Sequence, residues 1–497
     1  MTTVTRLAVV GATVCAASAH AQFDPSVWPG FRGTGDKRAA VLAEGPAVNH
    51  AFTLTSLANV SPGGFTIAAN GDIYFKTYKL AGSSVYRLDP ADGSVLAQSV
   101  DLGGVLGNYA GVAVGVDALY TCIYEGVGTT RIVKLDKLTL AVISTFTNPA
   151  FQGLRGTPLI SDVVNNNGNH NLFIADRNGQ AIYAVDSVTG SLEWTYVPIY
   201  DVVLGQMGPM WTVAGGRQAF AYFGNGDLGP GAALADNGNG TFDVLWEAAG
   251  PDNFNWFGSG ALSTDQTRIY ITTFNDNFTS TLWAIDVNDG SIIWDVPGLR
   301  GSPNELNFFA RPAVLADRVY CFGQDGVIAA FDDNGPSYTT AWIYRDMIAE
   351  FTSGSVVRTP AGDTFVYAVR QDPPGLVVLK DEGASFTTLL DTNLGGAMRW
   401  TFLAASSTTI DSSGGLWIAG GRVDDPLPGD VYKFTPEPAC PCACDFDPDP
   451  VCDIFDFLAF QNLFVVGDPC ACDIDPDPAC DIFDFLAFQN QFVMGCP

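Results

Sequence analysis

Histidine is nearly absent from this chain, which has three in 497 residues, at His20, His50 and His170. So few imidazoles leave little room for a Ser/His/Asp triad or a three-histidine metal centre, and no GxSxG, HExxH or phosphate-loop motif takes their place. Basic residues are scarce too. Against 53 Asp and Glu stand 24 Lys and Arg, for a formal net charge of −29. That balance excludes nucleic acid as a partner, because binding there is driven by cations that neutralise phosphates. Past the N-terminus no stretch reaches the roughly 18 apolar residues that a membrane-spanning helix needs, so no transmembrane segment is expected in the mature chain. Charged residues make up only 15% and apolar residues 47%, the balance of a folded, β-rich protein.

The one apolar run that stands out is at the start. Arg6, the stretch Leu7 to Ala17, and then Ala19-His20-Ala21 have the layout of a signal peptide with a small-x-small cleavage site. Residues 1–21 are therefore expected to be removed, and the mature chain to be secreted to the cell surface, the exterior or the periplasm. Export permits disulfides. Loss of Cys15 leaves ten of the 11 cysteines, and eight of those ten fall between Cys440 and Cys496.

The stretch AVDSVTGSLEW, Ala184 to Trp194, returns as AIDVNDGSIIW, Ala284 to Trp294. Each copy reads as a strand, an Asp-to-Gly turn and a second strand ending in Trp. Weaker copies place the turn-opening position at Asp89, Asp136, Asp186, Asp236, Asp286, Asp332, Lys380 and Thr435. The spacing of about 50 residues suits one four-stranded sheet per repeat, and eight repeats make an eight-bladed β-propeller. The eighth repeat stops after its third strand, and Ala51 to Val60 alternates like a strand, so an N-terminal strand is expected to close the ring. The late tryptophans Trp194, Trp246, Trp294 and Trp342 fit wedge packing between blades better than a ligand role.

The repeated AxDxxxGxxxW, with WPGFRG at Trp28 to Gly33, resembles the pyrroloquinoline-quinone-like β-propeller repeat proteins. The resemblance implies an all-β, quinoprotein-like propeller over residues 22–435, in a group that includes quinone-dependent alcohol dehydrogenases as well as scaffolds and binding platforms. Those dehydrogenases set a vicinal cysteine pair over the quinone. Here the ring has only Cys122 and Cys321, apart in sequence and best read as buried thiols.

Two further patterns in the ring concern ligands. Arg155, Arg311, Arg358 and Arg399 are all expected at the entry to the inner strand of their blades, where they would ring one mouth of the channel and attract an anionic glycan. The competing reading pairs each with an Asp of the adjacent blade. The run Asn165 to Asn171, NNNGNHN, reads as a polar loop in preference to a sugar site. A carboxylate pair for glycoside chemistry is not readable from sequence.

After the linker, residues 436–441, the segment 442–497 repeats itself at an offset of 28, sharing the block DIFDFLAFQN. Residues 440–497 hold eleven Asp and no Lys, Arg or Glu. Counting from the first Asp of each half, carboxylates fall at positions 1, 3, 5, 9 and 12. These are Asp445, Asp447, Asp449, Asp453 and Asp456, then Asp473, Asp475, Asp477, Asp481 and Asp484. With position-7 carbonyls from Val451 and Ala479 this is calcium-loop spacing. Each loop leads into a helix that carries Phe457 and Phe460, or Phe485 and Phe488, on one face. So many phenylalanines exceed what a small core should bury, and Phe460 and Phe488 are expected to meet a partner.

This segment resembles the cysteine-containing dockerin modules, which implies a small α module with two calcium loops that docks a cohesin-like or other cell-surface protein. Position 6, normally Gly, is Pro450 and Pro478, which cannot take a positive φ, so the loop path differs. The repeat symmetry suggests Cys444–Cys452 and Cys472–Cys480 as disulfides without fixing the connectivity. An acidic, disulfide-stapled knot without metal is the competing reading. The function expected from the whole chain is a non-catalytic propeller platform on a calcium-dependent anchor, and the alternative is a polysaccharide-active or quinone-dependent propeller enzyme.

Overall fold

The signature aspartates build their own turns. Oδ1 of Asp89, Asp136, Asp186, Asp236, Asp286, Asp333 and Asp381 accepts the N–H two residues further on, the Asx geometry that Asp supports. In the longer form of the turn the fifth residue needs a positive φ, which Gly190 and Gly290 supply at +72° and +73° without a Cβ penalty. The DxxxG spacing is therefore the shape of a turn. In blades 6 and 7 the residues in this role are Asp333 and Asp381, one place after the expected Asp332 and Lys380. Sequence spacing could not choose between adjacent candidates, whereas the end of the third strand does.

The computed structural model describes residues 39–54, 60–77, 82–105, 110–198, 207–223, 231–248, 254–255, 260–275, 280–298, 312–323, 326–346, 351–370, 375–394, 408–419, 430–436, 454–466, 471 and 482–494. Their strands form eight sheets. Within each blade the chain runs from inner to outer strand as an antiparallel meander, and the inner strand of blade 1 (Val60–Ile67) neighbours those of blades 2 and 8. The result is a closed ring. One face carries the turns between strands 1 and 2 and between strands 3 and 4; the other carries the strand 2–3 turns and the blade-to-blade crossovers. We call them the turn face and the crossover face.

The N-terminal segment makes two additions. Strand β1 (Ala40–Leu42) pairs in parallel with the inner strand of blade 7, Phe351–Arg358. Strand β2 (Ala47–Leu54) is the outermost strand of blade 8, antiparallel to Val431–Pro436, with Ala47 opposite Pro436. The expected closure occurs, but β2 starts four residues before the expected Ala51, and Val60 already belongs to blade 1. An outer strand is solvated on one face, so its alternation is weak. Between β1 and β2 the chain crosses the turn face through a narrow seam. Ala43 N donates to Arg358 O at 3.2 Å, Ala47 N donates to the Tyr367 hydroxyl at 2.9 Å, and Gly414 lies so close to the Glu44 carbonyl that a Cβ would not fit.

The apolar core lies in the wedges between blades. At every wedge one hydrogen-bonding device recurs on the turn face. In blades 3, 5 and 6 the late Trp donates through Nε1 to the signature Asp of the next blade: Trp194 to Asp236 at 3.0 Å, Trp294 to Asp333 at 3.2 Å and Trp342 to Asp381 at 3.0 Å. Trp246 donates to Val287 O at 2.9 Å. Where Trp is missing, other donors reach the same turn. Arg87 and Tyr74 reach Leu138 O and Lys137 O, Lys134 and Tyr120 both reach Ser187 O, and Lys433 reaches Pro90 O. Between blades 7 and 8 the direction is reversed: the N–H of Ala47, where the chain break has replaced the blade 8 turn, donates to the Tyr367 hydroxyl of blade 7.

Asp381 gathers three side-chain donors of blade 6 at one such latch. It takes Trp342 Nε1, the Tyr320 hydroxyl at 2.7 Å and Arg318 Nη1 at 2.7 Å. Removing a buried carboxylate that satisfies three donors costs about 3–5 kcal/mol. Asp381→Ala should therefore lower the melting temperature by several degrees, while Asp289→Ala, on an exposed turn, should shift it little; equal effects in thermal melts would contradict the latch.

The wedge between blades 1 and 2 buries Lys76 completely, with Nζ donating to Cys122 O at 3.1 Å. Burial lowers the amine to about 7 from its ordinary 10.5, and the nearby Cys122 thiol opposes this only in part. Below about 7 the charged amine carries its full burial penalty. Between 7 and 10.5 the unfolded chain binds the extra proton, so this group's contribution to stability rises with pH across that window. Lys76→Met should accordingly raise the melting temperature more at pH 6 than at pH 10. A difference between variant and parent that does not change with pH would show that the amine is not buried neutral.

Candidate functional site

Of the four arginines expected at one mouth, Arg311 and Arg399 lie outside the described residues. The other two are at opposite ends of the ring. Arg155 precedes the inner strand of blade 3 (Leu159–Val164) on the crossover face, but Arg358 is the last residue of the inner strand of blade 7, exposed on the turn face. A single ring containing both is ruled out. Sequence context could not separate LRGTP from VRTPA, because both place Arg beside a short turn signal.

Arg155 is held in place without a carboxylate. Its guanidinium lies 4.0 Å from the ring centroid of Tyr124 in blade 2, a cation–π contact, and Nη2 donates to Asn178 Oδ1 at 3.2 Å. Its Nε is buried and finds no acceptor. Next to it is a second arginine that the sequence reading passed over. Leu154 forms a bridge with Asp176, and Arg177 N donates to Gly153 O at 3.2 Å. Arg155 and Arg177 are thus each one step from the bridge, on the same side of the ladder and at diagonal spacing, ~7–8 Å. A Cβ on Gly153 would run into the side chain of Asn178, so glycine lets Asn178 reach Arg155. Among the described residues no carboxylate lies within ion-pair distance of Arg155 or Arg177, whereas Arg87, Arg131, Arg217, Arg268, Arg318 and Arg370 are all ion-paired.

The other candidates in the ring are structural. Asn165, Asn169 and Asn171 donate to Asp186 and Asp236 or to one another at 2.7–3.2 Å, and His170 Nδ1 is 2.9 Å from Ser161 O. This is the polar loop expected, tying blade 3 to blade 4. Burial lowers the His170 pKa. His50 lies across the ring on β2, with Nε2 2.8 Å from Thr53 Oγ1. Cys122 and Cys321 are buried thiols, in no disulfide, in the second strands of blades 2 and 6, and burial pushes Cys122 up to about 12. Neither can meet the other as a vicinal pair over a quinone. Among the described residues no group of three His, Cys, Asp or Glu could hold a metal.

In the tail, helices α1 (Ile454–Val466) and α2 (Ile482–Met494) carry the duplicated block. Phe460 and Phe488 stack on each other, centroids 3.8 Å apart and planes within 9°. The pairs Phe457–Phe488 and Phe460–Phe485 are both 5.9 Å apart, which is the signature of a local two-fold axis. Phe460 and Phe488 are fully buried, so the expectation that they meet a partner is overturned; two identical helices bury their aromatic faces against each other. The exposed apolar residues are Leu458 and its repeat mate Leu486, with Val465, Ile482 and Phe483. Asp484 is buried in the first turn of α2, where the helix dipole favours a carboxylate. Asp456 lies in the first turn of α1. Asp445, Asp447, Asp449, Val451, Asp453, Asp473, Asp475, Asp477, Ala479 and Asp481 lie outside the described residues, as do Cys444, Cys452, Cys472, Cys480 and the expected signal peptide. No described helix is long and apolar enough to cross a membrane.

No family model matches the sequence, and no curated protein matches it. Among solved structures, the chain is similar to quinohemoprotein alcohol dehydrogenase from Comamonas testosteroni, with a TM-score of 0.54 and 13% identity over 92% of this chain and 87% of that one. Europium-containing methanol dehydrogenase gives 0.44 and 10% over 83% and 99%. BamB from Moraxella catarrhalis gives 0.36 and 14% over 65% and 95%. The likeness to the first, together with the eight sheets, shows the fold: the ring is an eight-bladed propeller of the quinoprotein type.

Proposed function

We propose that this is an exported surface protein in which the ring is a non-catalytic binding platform and the tail a calcium-dependent, dockerin-like anchor for a cell-surface or cohesin-like partner. The observation that carries the platform reading is how the ring uses its polar side chains. Its tryptophans, tyrosines and signature aspartates are engaged in holding blades together, and its two cysteines are buried and apart. The anchor reading is supported by the duplicated acidic segment and the two-fold pairing of its helices. Incubating the full chain with pyrroloquinoline quinone, calcium and a redox dye tests the enzymatic rival: sustained dye reduction with an alcohol substrate would replace the platform reading.

For the anchor, ten loop carboxylates in one short segment repel one another unless a cation lies among them, and a ligand of the folded form stabilises it. Calorimetry of the full chain should show a small transition that calcium raises and chelator lowers, with the main transition unchanged. Replacing Leu458 and Leu486 together with Glu should release the protein from the cell surface and leave that calcium response intact, whereas Phe460→Ser should abolish the small transition itself. A double variant that stays on the surface, or a tail indifferent to calcium, would overturn the anchor reading.

A further inference from the structure

We propose that the corner of blade 3 on the crossover face, formed by Arg155, Arg177 and Asn178, binds an oxyanion, a carboxylate or sulfate group carried on an acidic saccharide. This deepens the platform reading and rests on it; it is independent of the tail. Three observations converge on the site. Two arginines share one side of a strand ladder without a carboxylate between them, in a chain where acidic residues outnumber basic ones 53 to 24 and six other arginines are ion-paired. Like charges at this spacing repel, and a shared anion reverses the sign of the interaction. Secondly, Arg155 is positioned before any ligand arrives, by stacking on Tyr124 and by its bond to Asn178, yet its buried Nε has no acceptor.

The third observation is the orientation of the amide. Because Asn178 Oδ1 accepts from Arg155, its Nδ2 points away as a further donor. Two guanidinium forks and an amide N–H make a donor-only surface, which suits the planar or tetrahedral oxygens of carboxylate and sulfate. The Asp176 carboxylate at the bridge is buried and accepts the N–H groups of Gln152 and Gly179, and Glu125 is occupied by both terminal nitrogens of Arg131, at 2.5 and 3.0 Å. Neither is available to neutralise Arg155. Both Arg155 and Arg177 are half-buried, so an exposed saccharide can reach them.

The test is titration calorimetry of the full-length protein with three probes at low ionic strength: inorganic sulfate, an oligogalacturonate and a sulfated oligosaccharide. Arg177→Gln and Arg155→Gln should each weaken binding about tenfold or more, and Arg358→Gln, on the opposite face, should leave it unchanged. Added salt should weaken binding steeply. Asn178→Asp gives a readout that a purely structural role would not produce. It supplies Arg155 with an internal carboxylate, so it should raise the melting temperature and abolish binding together. Saccharide binding stronger than sulfate binding and lost in these variants supports the saccharide as source, and sulfate binding alone, lost in the same variants, supports the free ion. Absence of binding by all three probes, or a double arginine variant that binds like the parent, overturns the site. The dye-reduction assay is unaffected by either result, so loss of this site is distinguishable from loss of the platform reading.

Discussion

Everything in the ring depends on one contact repeated with different chemistry, a hydrogen bond between a side chain of each blade and the strand 3–4 turn of the next or, in blade 8, the chain segment that replaces that turn. Sheets that pack face to face can slide. A hydrogen bond from a fixed side chain to a fixed turn stops that sliding at one radius, and eight such bonds set the rotation between blades around the ring. The donors change from indole to phenol, guanidinium, amine and backbone N–H. The acceptors change from carboxylate to carbonyl. Position in space is held constant while residue type is not, which explains why two repeats are nearly identical and the others are hard to see.

Much of the fold was legible for that reason. Asp and Trp eight residues apart in sequence could be counted because they are the two ends of the latch, seen from neighbouring blades. Blade number and the N-terminal closing strand followed from spacing alone. The rest depended on registers that spacing does not contain. Asp333 and Asp381 stand one place beyond Asp332 and Lys380, and only the end of a strand tells them apart. Strand β1 was not anticipated, because three residues of small apolar character carry no periodicity.

The candidate site was less legible. Arg155 was found and Arg177 was not, since the signal that unites them is a bridge between residues twenty-two apart, Leu154 and Asp176. Arg358 looked equivalent to Arg155, and the strand direction separates them by the height of the ring. In the tail, repeat symmetry was read as a surface offered twice. It is first a surface consumed by its own copy, as the Phe460–Phe488 stack shows, and what remains outside among the described residues is mostly aliphatic, with Phe483.

The place where the tail leaves the ring has a mechanical meaning. Pro436 ends a strand lying between Leu416–Ala419 on one side and β2 on the other, antiparallel to both. The strand points out through the turn face, so a pull on the residues beyond it acts along the strand axis, and ladder bonds lie across that axis. The load is therefore shared by two ladders in shear, and no bond has to break alone as it would in peeling. One of the two ladders belongs to the N-terminal segment, which is threaded past Tyr367 and paired with blade 7. Tension on one end of the chain is resisted by the other end.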